Sequence, residues 1–139
     1  MKSSERYVFD TNVIVSALLF RQSKPGQAFQ TALGRGEILL SLPLLHELND
    51  VLSRKKFDRY LLLEERERFL DALIERASLV DIVEQIRACR DPKDDMVLEV
   101  AVNGEATSII SGDNDLLQLS PFRGIPVISP DEFLFSISS

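Results

Sequence analysis

The sequence predicts an α/β protein, a three-layer α/β/α sandwich with a central, mostly parallel sheet of about five strands. Short apolar runs that favour strands alternate with longer stretches in which apolar residues recur at helical spacing. Capping residues, prolines and glycines fall between them, as element boundaries require. With 139 residues and a hydrophobic share of 45%, the chain is long enough to bury a core. We expect residues 1–139 to form a single domain.

The first predicted strand, residues 7–9, ends at Asp10. Thr11 and Asn12 are residue types that cap helices, and the apolar run from Val13 has neither Gly nor Pro. A strand therefore delivers a carboxylate to the start of a helix. Capping of the first helical turn explains Asp10 as well as a functional site does.

A second helix begins near Pro25, and residues 37–40 form the predicted second strand. Pro43 then begins a third helix, in which Glu47 shares the edge of the apolar face. We expect its carboxylate to face inward, although a side chain reaching out to water would fit the same position. His46 is adjacent in sequence but faces another way, so we expect an exposed histidine.

A basic cluster follows the third helix. Its cations could complement the helix C-terminus and solvate the surface, or they could contact phosphates. Arg21 and Lys24, after the first predicted helix, are a second pair of cations. The cluster consists of Arg54, Lys55, Lys56 and Arg59.

Residues 62–77 have the spacing of an amphipathic helix, which packs on its own domain or also meets a partner subunit. Residues 79–83 form the predicted third strand. After a loop, Asp91 has the character of an N-cap, with Asp94 and Asp95 in the first turn of the next helix. Asp94 is in register with the apolar face and so points toward the sheet, while Asp95 lies nearer the edge of that face.

The fourth predicted strand, residues 107–111, also leads into acidic residues, Asp113 and Asp115. A short helical turn follows. Residues 125–128 form the fifth strand, which Pro126 marks as an edge strand, and a short helix ends the chain.

Four acids should meet in this fold. In a parallel sheet, strand ends and the following helix starts lie along the carboxyl edge, where ligands bind. Asp10 and Asp113 are at strand ends, and Glu47 and Asp94 lie early in helices. Four crowded carboxylates repel one another unless a cation binds, and oxygen ligands without His or Cys favour magnesium or manganese.

Charge and composition limit the possible functions. The formal net charge is −6 and the pI about 4.8, which argues against a generic binder of polyanions. The single cysteine, Cys89, cannot form an intrachain disulfide and fits a reducing compartment. The N-terminus has neither a secretory nor a membrane-spanning pattern, so we expect a cytoplasmic protein with no membrane partner.

Four motifs in order resemble those of the PIN-domain nucleases: residues 8–13 (VFDTNV), Glu47 in a Leu-rich helix, residues 91–95 (DPKDD) and residues 111–117 (SGDNDLL). The resemblance extends over essentially the whole chain. It is strongest to the prokaryotic branch of toxins from toxin–antitoxin pairs.

This resemblance implies a magnesium- or manganese-dependent endoribonuclease that hydrolyses phosphodiester bonds in RNA. It also implies a possible antitoxin partner and a dimer. RNA would then approach over the basic cluster Arg54, Lys55, Lys56 and Arg59, or over Arg21 and Lys24. By position, the metal-binding and catalytic acids fall on Asp10, Glu47, Asp94 and Asp113. Supporting roles fall on residues that organise the site or hydrogen-bond its carboxylates, namely Thr11, Asn12, Asp91, Asp95, Ser111 and Asp115.

Two other classes remain. A non-catalytic member of the same fold could bind RNA or a protein and keep the acids as a metal-stabilised scaffold. Receiver domains and haloacid-type phosphatases resemble the sequence less, because residues 125–129 contain no Lys and Asn12 stands where such phosphatases have a second Asp.

Overall fold

The computed structural model describes residues 5–138 and contains one five-stranded sheet in the order β3-β2-β1-β4-β5. Every pairing is parallel. Consecutive residues of the three central strands are buried, as expected when helices cover both faces of a parallel sheet. The predicted α/β class is therefore confirmed. The strands are β1 (Arg6–Phe9), β2 (Glu37–Leu40), β3 (Ser78–Leu79), β4 (Ser108–Ile110) and β5 (Val127–Ile128).

Seven α-helices and one short 3-10 helix, Lys55–Phe57, connect and cover the strands within the described residues. Most of them begin at a side chain that accepts a hydrogen bond from a first-turn backbone N–H, which satisfies an otherwise unpaired donor. The helices are α1 (Thr11–Leu19), α2 (Lys24–Arg35), α3 (Leu42–Leu52), α4 (Leu63–Arg76), α5 (Pro92–Asn103), α6 (Asn114–Leu117) and α7 (Pro130–Ser138).

The core lies between the sheet and these helices. Phe9 of β1 and Phe29 of α2 meet edge to face with ring centroids 5.2 Å apart, and Tyr7 meets Phe133 of α7 in the same way. Helix α5 contacts β1, β2 and β4, which fixes its first turn near the ends of the central strands. Among residues 5–138, the helices are too short or too polar to serve as membrane spans.

The third strand is shorter than predicted. Only Ser78–Leu79 pairs, with one further bond from Val80 N to Leu40 O at 2.7 Å. Residues 81–83 favour strands by composition, but β2 ends at Leu40 and leaves them no partner, and Val83 is 88% exposed. The chain instead continues as a loop to residue 91. The fourth and fifth strands are also shorter than predicted, by one or two residues at their ends.

Candidate functional site

Asp10 lies at the end of β1, 6% exposed, and both of its carboxylate oxygens are hydrogen-bonded. Oδ1 accepts from Val13 N at 2.9 Å, so Asp10, rather than Thr11 or Asn12, is the N-cap of α1. Oδ2 accepts a hydrogen bond from the Ser111 hydroxyl. Burial raises the pKa of Asp10, and these hydrogen bonds partly offset that rise. Asp10 therefore caps a helix and also lines the cleft described below.

Ser111 joins the ends of β1 and β4. It is fully buried, and its hydroxyl oxygen accepts from Asp113 N at 3.0 Å while the hydroxyl donates to Asp10. One side chain thus fixes the position of Asp10 and the backbone of Asp113. The role proposed for Ser111 from the sequence, a hydrogen bond to a site carboxylate, matches this contact.

Asp94, Asp113 and Asp115 form a compact carboxylate group, with one oxygen from each within 4.8 Å of the others. Burial raises the pKa of Asp94 to about 6, and the negative charges of Asp113, Asp91, Asp10 and Asp115 add to the rise. The three carboxylates repel one another when all are ionised and no cation is bound. These three oxygen donors could hold a divalent metal ion.

The structure separates the neighbouring acids at the start of α5. Asp94 lines the cleft, whereas Asp95 is only 9% exposed and its Oδ1 accepts from Ala88 N and Cys89 N, both at 2.9 Å. Asp95 is therefore more buried than the helical count predicts, because the loop before α5 folds back over it. Burial raises the pKa of the half-buried Cys89 thiol to about 12, and Asp95 adds to that rise.

Glu47 projects from α3 into the same cleft with its side chain 12% exposed, as predicted. Its Oε2 lies 3.7 Å from Nζ of Lys93, a half-exposed side chain to which the sequence alone assigned no role. The sequence does contain a sign of a role for Lys93, because a cation in the first turn of a helix is unfavourable to the helix dipole and so needs another explanation. Arg90 was also missed, and it contacts Asp115 Oδ1 at 3.0 Å. His46 is exposed, as expected.

The acids share a cleft of about 210 Å³ at the carboxyl edge of the sheet. The predicted metal-binding acids all line it, as do the supporting residues Thr11, Asn12 and Asp91. Of the predicted basic cluster, only Arg54 lines this cleft. The other three, Lys55, Lys56 and Arg59, line a separate surface depression next to Tyr60.

Comparison with solved structures shows the same fold. A VapBC2 complex from Rickettsia felis bound to a DNA fragment from its promoter aligns with a TM-score of 0.61 at 14% identity, over 89% of this chain and 98% of that one. PAE2754 from Pyrobaculum aerophilum aligns with a TM-score of 0.58 at 13% sequence identity, over 96% of this chain and 89% of that chain. VapBC-1 from nontypeable Haemophilus influenzae aligns with a TM-score of 0.58 at 17% sequence identity, over 91% of this chain and 98% of that chain. No curated protein matches the sequence significantly.

A family model described as the PIN domain matches residues 6–115. This match includes β1 to β4, each acid of the cleft from Asp10 to Asp113, and the neighbouring Asp115. The chain therefore belongs to the PIN-domain family.

Proposed function

We propose that the protein is a divalent-metal-dependent endoribonuclease and the toxin component of a toxin–antitoxin pair. The observation that carries the proposal is the crowding of Asp94, Asp113 and Asp115 beside the buried Asp10. Burial raises the pKa of Asp94 to about 6, and the neighbouring negative charges add to that rise. Such a group is costly without a cation, and hydrolysis of an RNA phosphodiester is a reaction that a bound cation promotes.

In this proposal Asp10, Asp94 and Asp113 hold magnesium or manganese, with Glu47 as a further carboxylate. Asp115, whose carboxylate lies within reach of the same group, joins them or orients Asp113. When bound, the ion would neutralise charge on the phosphate and lower the pKa of an attacking water.

The rest of the cleft positions these acids and the substrate. Ser111 fixes Asp10 by a hydrogen bond to its carboxylate and Asp113 by a hydrogen bond from its backbone, so the carboxylates need little rearrangement on binding an ion. Arg54 and Lys93 are the cations that line the acidic cleft, and they can offset the charge of RNA phosphates near the acids. Asn12 lies exposed at the same place.

The biological setting is proposed from the relatives. Two of the similar structures are VapBC proteins, one of them bound to promoter DNA, so we propose an antitoxin partner for this chain. Helix α4 leaves Leu63 and Ile74 exposed, which supports a contact with an antitoxin or a second copy in a dimer. The lone cysteine fits action in the cytoplasm.

The test is cleavage of a labelled RNA pool with manganese, with magnesium and with EDTA, using wild type and Asp10→Asn. Asn can still cap α1, so the variant should fold, which circular dichroism would verify. We expect metal-dependent cleavage that falls by about 100-fold or more in the variant. Asp71→Asn, the same change at an exposed position on α4, should cleave like wild type.

Each other outcome has a defined meaning. Equal cleavage by wild type and Asp10→Asn would identify a contaminating nuclease. RNA binding by a folded protein that cuts nothing under any metal would favour the non-catalytic module instead.

A further inference from the structure

The acidic cleft has a second arm. A cavity of about 540 Å³ adjoins it, and Asp10, Asn12 and Asp113 line both spaces. The first arm contains Glu47, Arg54 and Lys93. The second arm is formed by α1, by the start of α2 and by the start of α7, and its lining includes Ser16, Lys24, Ser129 and Asp131. Asp10 and Asp113 therefore lie where the two arms meet.

Each arm has a lysine in the first turn of a helix. Lys24 is exposed at the first position of α2, and Lys93 is half exposed in the first turn of α5. Helix stability does not account for either lysine, because the positive end of a helix dipole disfavours cations in the first turn. The Lys93–Glu47 contact is long and partly solvated, so Lys93 can leave Glu47 for a stronger anion at little cost.

We propose that a single RNA strand runs through both arms, with phosphates on opposite sides of the cleavage point held by Lys24 in one arm and by Lys93 in the other. This inference rests on the proposed function and specifies its substrate as a continuous strand. The two lysines are positioning residues, because they contact flanking phosphates rather than the reacting atoms. Asp131 in the second arm weakens, but does not cancel, the attraction of Lys24.

The experiment uses RNA whose cleavage position has been mapped with the wild-type protein. Initial rates are measured for wild type, Lys24→Met and Lys93→Met on three substrates: the mapped RNA, the same RNA shortened to one nucleotide on the 5′ side of the cut, and the same RNA shortened on the 3′ side. Met keeps the length of the side chain and removes its charge. Arg68→Met, at an exposed position on α4 outside both arms, is the matched control.

On the full RNA, we expect each lysine variant to raise KM about tenfold with little change in kcat, the loss of one charged contact. The salt dependence of kcat/KM should also become shallower, by about 0.7 in logarithmic slope for each lost phosphate. The decisive result is the pattern with shortened RNA. Removal of the RNA on one side of the cut should abolish the KM difference between Lys24→Met and wild type. Removal of the RNA on the other side should abolish the KM difference between Lys93→Met and wild type.

The possible failures can be told apart. If wild type cleaves no RNA under any metal, the proposed function fails and this inference fails with it. If wild type cleaves but neither lysine variant raises KM, only the inference is overturned. Loss of both effects on removal of the same side would also overturn it, since both lysines would then lie on one side of the cut.

Discussion

At the scale of single residues, the site depends on Ser111, which is fully buried between two acids. Ser111→Ala should weaken manganese binding about tenfold, because Asp10 loses the donor that orients it. It should also lower the unfolding free energy by about 1–2 kcal/mol, since the Asp10 carboxylate and the Asp113 backbone N–H lose their hydrogen-bond partner. Isothermal titration calorimetry and urea unfolding measure the two effects.

Ser41→Ala is the control for this prediction. Ser41 is equally buried and accepts from Leu44 N at 3.1 Å as the N-cap of α3, outside the acidic cleft. Its loss should cost about 1 kcal/mol and leave manganese affinity unchanged. Equal manganese affinity in wild type and Ser111→Ala would show that Asp10 needs no such support.

The raised pKa of Asp94 predicts a specific pH dependence of stability. In the folded protein this pKa is about 6, against 3.8 ordinarily, so the folded state binds the proton more tightly than the unfolded chain. The stabilisation from Asp94 is therefore fully present below about pH 4 and is lost as the pH rises through about 6. Its size is at most about 3 kcal/mol, and less because Asp94 is partly solvated.

Urea unfolding in EDTA at about pH 4.5 and about pH 7.5 would measure this effect. The difference between the two pH values should be smaller in Asp94→Asn than in wild type, because Asn has no proton to lose. The raised pKa of the buried Asp10 acts in the same direction and remains in the variant. An identical pH dependence in both proteins would contradict the pKa assigned to Asp94.

At the scale of elements, the loop from residue 80 to residue 91 is held on α5 by side chains. Asp95 accepts from Ala88 N and Cys89 N, and Asn103 accepts from Val83 N and Glu84 N. Asp95→Ala should cost about 2–3 kcal/mol, because it leaves two backbone donors unpaired. It should also speed amide hydrogen exchange in the loop.

Asp94→Ala is the matched change one position earlier in α5. We expect it to abolish or strongly weaken manganese binding while unfolding free energy in EDTA stays equal or rises, since it removes a crowded charge. Asp95→Ala should bind manganese within about twofold of wild type. Reversal of the two phenotypes would assign the metal-binding role to Asp95.

The same loop marks the limit of prediction from sequence. The strand Glu37–Leu40 and the helix starting at Pro92 were predictable because turn and capping residues bound them locally. The run from residue 79 to residue 83 has equal strand propensity, but its pairing depends on how far β2 extends, which is not a local property. For the same reason, helical spacing alone could not show that a distant loop would cover Asp95.

At the scale of the whole molecule, the order of strands and helices was enough to predict that the acids meet at one edge of the sheet. No knowledge of side-chain contacts was needed. Parallel strands bring Asp10, Glu47, Asp94 and Asp113 to one edge whatever their surroundings. The division of the basic cluster was not predictable, because the 3-10 helix at Lys55–Phe57 turns the chain after Arg54. The order of elements along the chain therefore predicts the position of the acids better than the position of the cations around them.

The net charge of −6 also makes the molecule sensitive to cations in two separable ways. Sodium chloride screens repulsion over the whole surface, so it should stabilise wild type and Asp113→Asn to a similar extent. Manganese should stabilise wild type by about 2.7 kcal/mol at 100 times its Kd, and the variant much less at the same concentration. Urea unfolding with each salt, starting from protein treated with EDTA, makes the comparison. If manganese stabilised both proteins equally, its effect would come from general screening, and the carboxylates at the sheet edge would not form a specific metal site.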